Sequence, residues 1–338
     1  MNVPAMNPAP GVMALPGVTP ALSARLQEGL AQVDDLIRTT VDHEDPLIVE
    51  ASGHLAEAGG KRLRPLLTLL ASELGSGVND QVVAAATGVE LTHLASLYHD
   101  DVMDEAQVRR GVPSANAQYG DSTAILIGDL LFGKASELVA GLGPDAVLIQ
   151  AQTFVRLCAG QIRDDRPCPP GVDPVAYYLS VLGDKTGALI ATAARYGAMF
   201  SGGSPEHVEV MRAYGERLGM AFQLADDLID ISSEASDTGK TPGTDLREGV
   251  DTLAVLYAKA STDPADSRLR DLLAQDLRDD VLHAEALALL RVSAALERAR
   301  RETLAVGRQA SDLLAPLPAG DARAALEALV TSVVDRVG

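Results

Sequence analysis

Apolar residues recur along this chain at intervals of three and four, the spacing that gathers them on one face of an α-helix. The first stripe is Leu22, Leu26, Leu30, Val33 and Ile37, within a helix expected over Ala21–Arg38. Gly59-Gly60 breaks the pattern, and Pro65 suits the first turn of a helix that runs through Leu74. Gly75–Asp80 reads as a turn. Val82–Asp104 is apolar on nearly every side and then abruptly acidic, which predicts a long helix buried on most faces. Further helices are expected over Ser122–Gly141, Pro144–Asp165, Val175–Leu182, Thr186–Phe200 and Pro205–Ile231. Pro167, Pro169, Pro170 and Pro174 make Arg166–Pro174 a loop, and the polar Ser232–Glu248 reads as a mobile one. Helix resumes after Asp251 and ends in the Ala- and Leu-rich Asp321–Arg336. Pro4, Pro8, Pro10, Pro16 and Pro20 make Met1–Pro20 a disordered lead-in, and residues 21–338 are expected to form one all-α domain.

Composition agrees with helix: 47% of residues are hydrophobic but only 3% aromatic, and Trp is absent. Against 28 Lys and Arg stand 47 Asp and Glu, a net charge of −19 that argues against a nucleic-acid partner. The apolar content excludes intrinsic disorder, and no uncharged apolar run is long enough to cross a bilayer. The only two cysteines, Cys158 and Cys168, read as reduced thiols of a cytoplasmic protein. Large Ala-rich helical faces favour pairing with a second copy of the chain.

The long apolar helix ends in His99-Asp100-Asp101-Val102-Met103-Asp104-Glu105. Positions four apart share a helix face, which brings Asp100 and Asp104 to within roughly 5–6 Å, with Asp101 alongside. Carboxylates so close repel unless a cation intervenes, and Mg2+ is the natural choice because it keeps positions open for phosphate oxygens. The spacing recurs at Asp226-Asp227-Leu228-Ile229-Asp230, again at the polar end of a helix. Two such walls suit a diphosphate. Two basic clusters, Lys61 with Arg64 after the glycine pair and Arg109-Arg110-Gly111 after the first acidic motif, supply cations for phosphate.

Gly59–Pro65, His93, His99–Gly111, Lys185-Thr186, Gln223–Asp230 and Gly239–Gly249 together resemble the trans-prenyl diphosphate synthases of the polyprenyl synthetase family. The resemblance covers the chain from about residue 25 onward. It implies the isoprenoid synthase type I fold, a homodimeric bundle of helices around a deep central cavity. It also implies repeated head-to-tail addition of isopentenyl diphosphate to an allylic diphosphate. Carried over by position, Asp100, Asp101, Asp104, Asp226, Asp227 and Asp230 would bind Mg2+ with the allylic diphosphate. Arg109, Lys185 and Lys240 would contact the same diphosphate. Lys61, Arg64, His93 and Arg110 would hold isopentenyl diphosphate, while Thr186 and Gln223 would lie near the developing carbocation. One departure stands out: where similar enzymes carry a lysine and a proline after Gly249, this chain has Val250 and Ala254.

The product tail would run back along the helix that ends at Asp100. Ala95 and Ser96 lie about one turn before it and are small, as are Thr92, Gly88 and Val89 further back. An open channel and an all-trans product of about six to ten isoprene units are therefore expected, serving a quinone side chain. The alternatives are a short-chain synthase making geranylgeranyl diphosphate and a non-catalytic subunit of a heteromeric synthase. Such subunits usually lose an acidic motif, and both are intact here.

Overall fold

Thr19 caps the first helix by accepting from the Leu22 amide at 3.4 Å, and Pro20 occupies its first turn, where no backbone N–H is needed. Pro20 thus belongs to the bundle rather than to the lead-in. The computed structural model describes residues 17–232 and 242–337. In chain order, α1 (Pro20–Thr40), α2 (Pro46–Glu57), α3 (Leu63–Ser72) and α4 (Asp80–Met103) precede a ribbon of β1 (Val108–Arg109) and β2 (Val112–Pro113). Then follow α5 (Ala115–Tyr119), α6 (Asp121–Ala140), α7 (Pro144–Asp164), α8 (Pro174–Leu182), a π turn (Gly183–Gly187), α9 (Ala188–Phe200) and α10 (Pro205–Ser232). Helices resume at Thr244–Glu248, Leu253–Lys259, Ser267–Leu273, Asp280–Arg291, Ala294–Leu313 and Asp321–Val334. The fold is all-α, and the ribbon is the only extended pairing among the described residues.

The chain divides into two compact units. The first takes the described residues up to Phe154, with Leu189–Gly215 and Pro316–Ala328. Its centre is α4, which packs along α6, α3 and α1. Leu91, Leu94, Ala95 and Tyr98 of α4 join Val33, Ile37, Leu55, Ile127 and Leu131 in one buried core. The Tyr98 hydroxyl is satisfied within it, donating to the Ala51 carbonyl and accepting from the Leu55 amide. Asn79 caps α4 on the Val82 amide at 3.0 Å, so the helix starts within the residues expected to form a turn. Helix α2, absent from the hydrophobic pattern, is started by Asp45, which accepts from the Leu47 amide at 2.9 Å just before Pro46.

The second unit takes Val155–Ala188, Glu216–Ala315 and the residues after Leu329. Leu253–Lys259 packs on Ala294–Leu313, where the Arg298 guanidinium lies 3.9 Å from the Tyr257 ring centre. Thr186 does not begin a helix as expected, because α8 runs through the π turn directly into α9. Part of the expected loop, Thr244–Glu248, is a short helix. Among the described residues no helix is long and apolar enough to cross a membrane.

In the first unit α9 lies close against α3: a Cβ on Gly197 would sit 2.1 Å from the Thr68 carbonyl oxygen and 2.7 Å from the Ala71 Cβ. Gly197→Ala must therefore push two backbones apart. It is expected to destabilise the protein by roughly 1–3 kcal/mol in urea titrations, with helix content unchanged.

Candidate active site

On α4 the partly exposed positions near the acidic end are His93, Ser96, Leu97, His99 and Asp100, of which all but His99 form one helical stripe, while Leu94, Ala95, Tyr98 and Asp101 are buried. The Asp104 amide donates to the Asp100 carbonyl at 2.8 Å, so helical geometry persists and the two carboxylates share a face. Asp101 behaves differently. It is fully buried, accepting from Arg109 Nε at 2.6 Å and from the Ala115 amide at 3.4 Å. Both its oxygens are engaged in fastening the following ribbon and α5 to the helix.

The ribbon pairs Val108 with Pro113 and Arg109 with Val112. Its two turn residues, Arg110 (φ 55°) and Gly111 (φ 80°), are both left-handed, the geometry that matches strand twist in a two-residue hairpin. Arg110 tolerates this because its guanidinium is tied down, donating to the Leu55 carbonyl at 2.7 Å and to the Gly59 carbonyl. Arg109 also lies 3.8 Å from the outer carboxylate, Asp104.

Around His93 the first unit gathers cations. Arg62, itself left-handed and buried, donates to Asp34 at 3.0 Å, Glu90 at 2.9 Å and the Ala56 carbonyl at 2.9 Å. Arg64 follows, its Nε buried with no hydrogen-bond partner among the described residues. Burial pushes the Arg64 guanidinium down to about 10, with Arg110 adding to the shift and Glu90 and Asp100 opposing it. Burial, then Arg64, Arg110, Arg62 and Arg109, hold His93 well below the usual imidazole range, so the ring is neutral. Lys61 is exposed on the same loop. An incompletely satisfied guanidinium in a ring of positive charge is what an anionic oxygen would complete.

The second unit builds its acidic motif in the same way. Asp227 is 8% exposed and accepts from the Tyr178 hydroxyl and from Gln223 Nε2 at 3.0 Å. Thr186 Oγ1 donates to Gln223 Oε1 at 3.3 Å, and Lys185 pairs with Asp164 at 2.6 Å. Asp226 pairs with Arg336 at 2.9 Å, and Asp230 accepts from the Thr244 and Asp245 amides at 3.2 and 3.1 Å. Burial pushes Asp227 up to about 6 against the lowering effect of Tyr178 and Gln223, with Asp226 and Asp164 adding repulsion. Asp245 is pushed up to about 7 by burial and by Asp227, Asp230, Glu248 and Asp164. As with Asp101, the Asp227 carboxylate is buried with both oxygens hydrogen-bonded.

Lys240 lies outside the described residues. Val250, in place of the family lysine, is 39% exposed, and Ala254 is buried. The chain-length pair separates: Ser96 stays on the accessible stripe, whereas Ala95 is fully buried in the core shared with α6. Gly88 is likewise a packing residue, since its Cβ would meet Val139 of α6 at 2.9 Å. Sequence reasoning missed Arg62, Glu90, Asp164, Tyr178, Asp245 and Arg336, none of which belongs to the acidic spacing that drew attention.

The family model for Polyprenyl synthetase matches residues 45–290. The chain is 49% identical to a nonaprenyl diphosphate synthase of Mycobacterium tuberculosis over 317 residues, 94% of this chain and 95% of that one. Among solved structures it resembles geranylgeranyl pyrophosphate synthase from Corynebacterium glutamicum, complexed with calcium and isoprenyl diphosphate. That match has a TM-score of 0.86 and 44% identity, and covers 95% of this chain and 98% of that one. It also resembles a decaprenyl diphosphate synthase from Rhodobacter capsulatus, with a TM-score of 0.86 and 34% identity over 94% of this chain and 99% of that one. With the family model covering most of the chain and relatives this similar along its length, the protein belongs to the polyprenyl synthetase family.

Proposed function

We propose that this protein elongates an allylic diphosphate with isopentenyl diphosphate, using Mg2+, to a long all-trans polyprenyl diphosphate for a quinone side chain. The observation that carries this reading is the cationic ring of Arg64, Arg109 and Arg110 around a neutral His93, on the helix whose end presents Asp100 and Asp104. Among the described residues no three acidic, imidazole or thiol groups form a closed metal cage. Mg2+ is commonly held by one or two carboxylates and completed by substrate phosphates. Asp100 with Asp104 in the first unit, and Asp226 with Asp230 in the second, would each hold Mg2+, and bound ions would stabilise the departing diphosphate as its charge develops.

The protein's own groups account for the remaining steps. Lys61, Arg64, His93 and Arg110 hold isopentenyl diphosphate, and Arg109 and Lys185 contact the allylic diphosphate. As the allylic carbon–oxygen bond breaks, its electron pair leaves with diphosphate. The isopentenyl double bond then supplies the pair for the new carbon–carbon bond. The adduct loses a proton to the released diphosphate, which restores a double bond. Thr186 and Gln223, joined to each other, present oxygen atoms where positive charge develops. We further read the protein as a cytoplasmic homodimer, consistent with Ile125, Leu126, Val147 and Leu148 being exposed on α6 and α7.

The 49% identity to a nonaprenyl synthase and the fold match to a decaprenyl synthase support a product of about six to ten units, as does the small Ser96 on the accessible stripe. The likeness to a geranylgeranyl synthase at 44% identity favours the second reading, a stop at four units. Mass analysis of products from farnesyl diphosphate, isopentenyl diphosphate and Mg2+ decides between them: the proposal predicts a ladder ending at about six to ten units. No elongation from any allylic starter would contradict the function itself. Ser96→Phe is expected to shorten that ladder by at least one unit while the protein still turns over, and an unchanged ladder would remove the tail from this stripe.

Mg2+ activation should depend on pH. Asp227 near 6 and Asp245 near 7 take up protons as the pH falls, which weakens the pull on a cation. The half-saturating Mg2+ concentration is expected to rise by up to about tenfold per pH unit for each coupled proton between pH 7 and 5. The metal-free protein is expected to show the opposite trend. Both folded-state values lie above the ordinary carboxylate value, so the stability tied to these groups is full below about pH 4 and is lost as pH rises through 6 and 7. Mg2+ titrations of rate and urea titrations without metal, each across this range, check the two trends.

A further inference from the structure

Lys185 and Thr186 sit on the π turn Gly183–Gly187, a widening of the helix that is rare and needs neighbours to hold it. The residue between Gly183 and Lys185 is Asp184, which none of the sequence motifs includes. Two guanidiniums grip it: Arg156 Nε donates to Oδ1 at 2.8 Å and Arg163 Nη1 to Oδ2 at 3.0 Å. Arg156 also donates to the Gly183 carbonyl at 3.2 Å and to Glu216 Oε1 at 2.5 Å. Arg163 in turn donates to Ser180 Oγ at 2.8 Å, and its carbonyl accepts from the Tyr177 hydroxyl at 2.9 Å. The clamp thus joins α7, α8, the π turn and α10 within the second unit.

Glu216, Gln223 and Asp227 are spaced seven and four apart and so lie on one face of α10. The π turn is fastened to that face at two points: through Asp184 and Arg156 to Glu216, and through Thr186 to Gln223. Gln223 continues to Asp227 at 3.0 Å. Helix α7 also comes close beneath the turn, since a Cβ on Gly160 would lie 2.5 Å from the Lys185 amide nitrogen. A single pair of this exposure contributes little, but a carboxylate held by two forks from one helix fixes an orientation as well as a distance.

We propose that Asp184 is a positioning residue for the allylic half of the reaction: clamped by Arg156 and Arg163, it holds the π turn on α10 so that Lys185 and Thr186 keep their places. The proposal rests on the reading of function given above. Asp184→Asn keeps the size and one acceptor but removes the charge that recruits both guanidiniums. In steady-state assays of the full chain, it is expected to lower kcat about tenfold and raise KM for the allylic diphosphate, leaving KM for isopentenyl diphosphate within about twofold. Combined with Thr186→Val, the losses should fall short of additive, because both substitutions loosen the same turn. Hydrogen exchange reads the clamp without reference to activity: residues 183–187 should exchange at least about tenfold faster in Asp184→Asn, with the rest of the unit unchanged. Unaltered exchange, or equal shifts in both KM values with strictly additive losses, would overturn the proposal. A wild-type protein that fails to elongate any starter would refute the functional reading, while the exchange result would still decide the clamp.

Discussion

Several carboxylates crowded at a helix end cannot all stay charged near neutral pH without help, and both acidic motifs meet this constraint in the same way. The middle aspartate is withdrawn into the fold and given donors: Arg109 and the Ala115 amide for Asp101, Tyr178 and Gln223 for Asp227. Its charge is then countered or shared locally. The outer aspartates, Asp100 with Asp104 and Asp226 with Asp230, keep a common face and partial access to solvent. Residual repulsion remains in the second motif, where burial and neighbouring carboxylates push Asp227 and Asp245 upward. That repulsion is the driving force a divalent cation would relieve.

The positive side of the first unit obeys the same logic with the sign reversed. Arg62 is spent on Asp34 and Glu90, which makes it a structural cation that holds the Gly59–Arg64 loop against α4. Arg110 is tied to one backbone carbonyl in the last turn of α2 and one in the loop after it. Arg64, with a buried Nε lacking a partner among the described residues, carries the unmet demand for an acceptor, and His93 stays neutral beside it. Glu90 limits the repulsion within the ring, so the cations stay assembled before any anion arrives.

Helical periodicity made most of the bundle legible, because a stripe such as Leu22, Leu26, Leu30, Val33 and Ile37 reports burial whatever the partner. Spacing also brought out both acidic motifs and both basic clusters. What it could not give was direction within a motif. Neighbouring aspartates look alike in sequence, yet a rotation of about 100° per residue sends Asp101 inward and leaves Asp100 accessible. The same rotation buries Ala95 in the α4–α6 core and leaves Ser96 on the stripe. Small residues are ambiguous in sequence: Gly88 packs closely against Val139 of α6. Tyr178 and Asp184 were illegible because their roles arise from contacts with α10 and α7, which no local pattern encodes.

Each unit has its own arrangement: cations around a neutral His93 in the first, and a hydrogen-bonded Thr186–Gln223 pair beside the acidic motif in the second. In both acidic motifs the middle aspartate is buried and hydrogen-bonded, and the proposed function gives the outer pair to the metal. A crystal structure with Mn2+ and inorganic diphosphate, located by anomalous scattering, tests this most directly. The account predicts metal bound to oxygens of the outer aspartates at roughly 2.0–2.3 Å, with Asp101 still on Arg109 and Asp227 still on Tyr178. Metal bound directly by Asp101 or Asp227, with those hydrogen bonds broken, would contradict it.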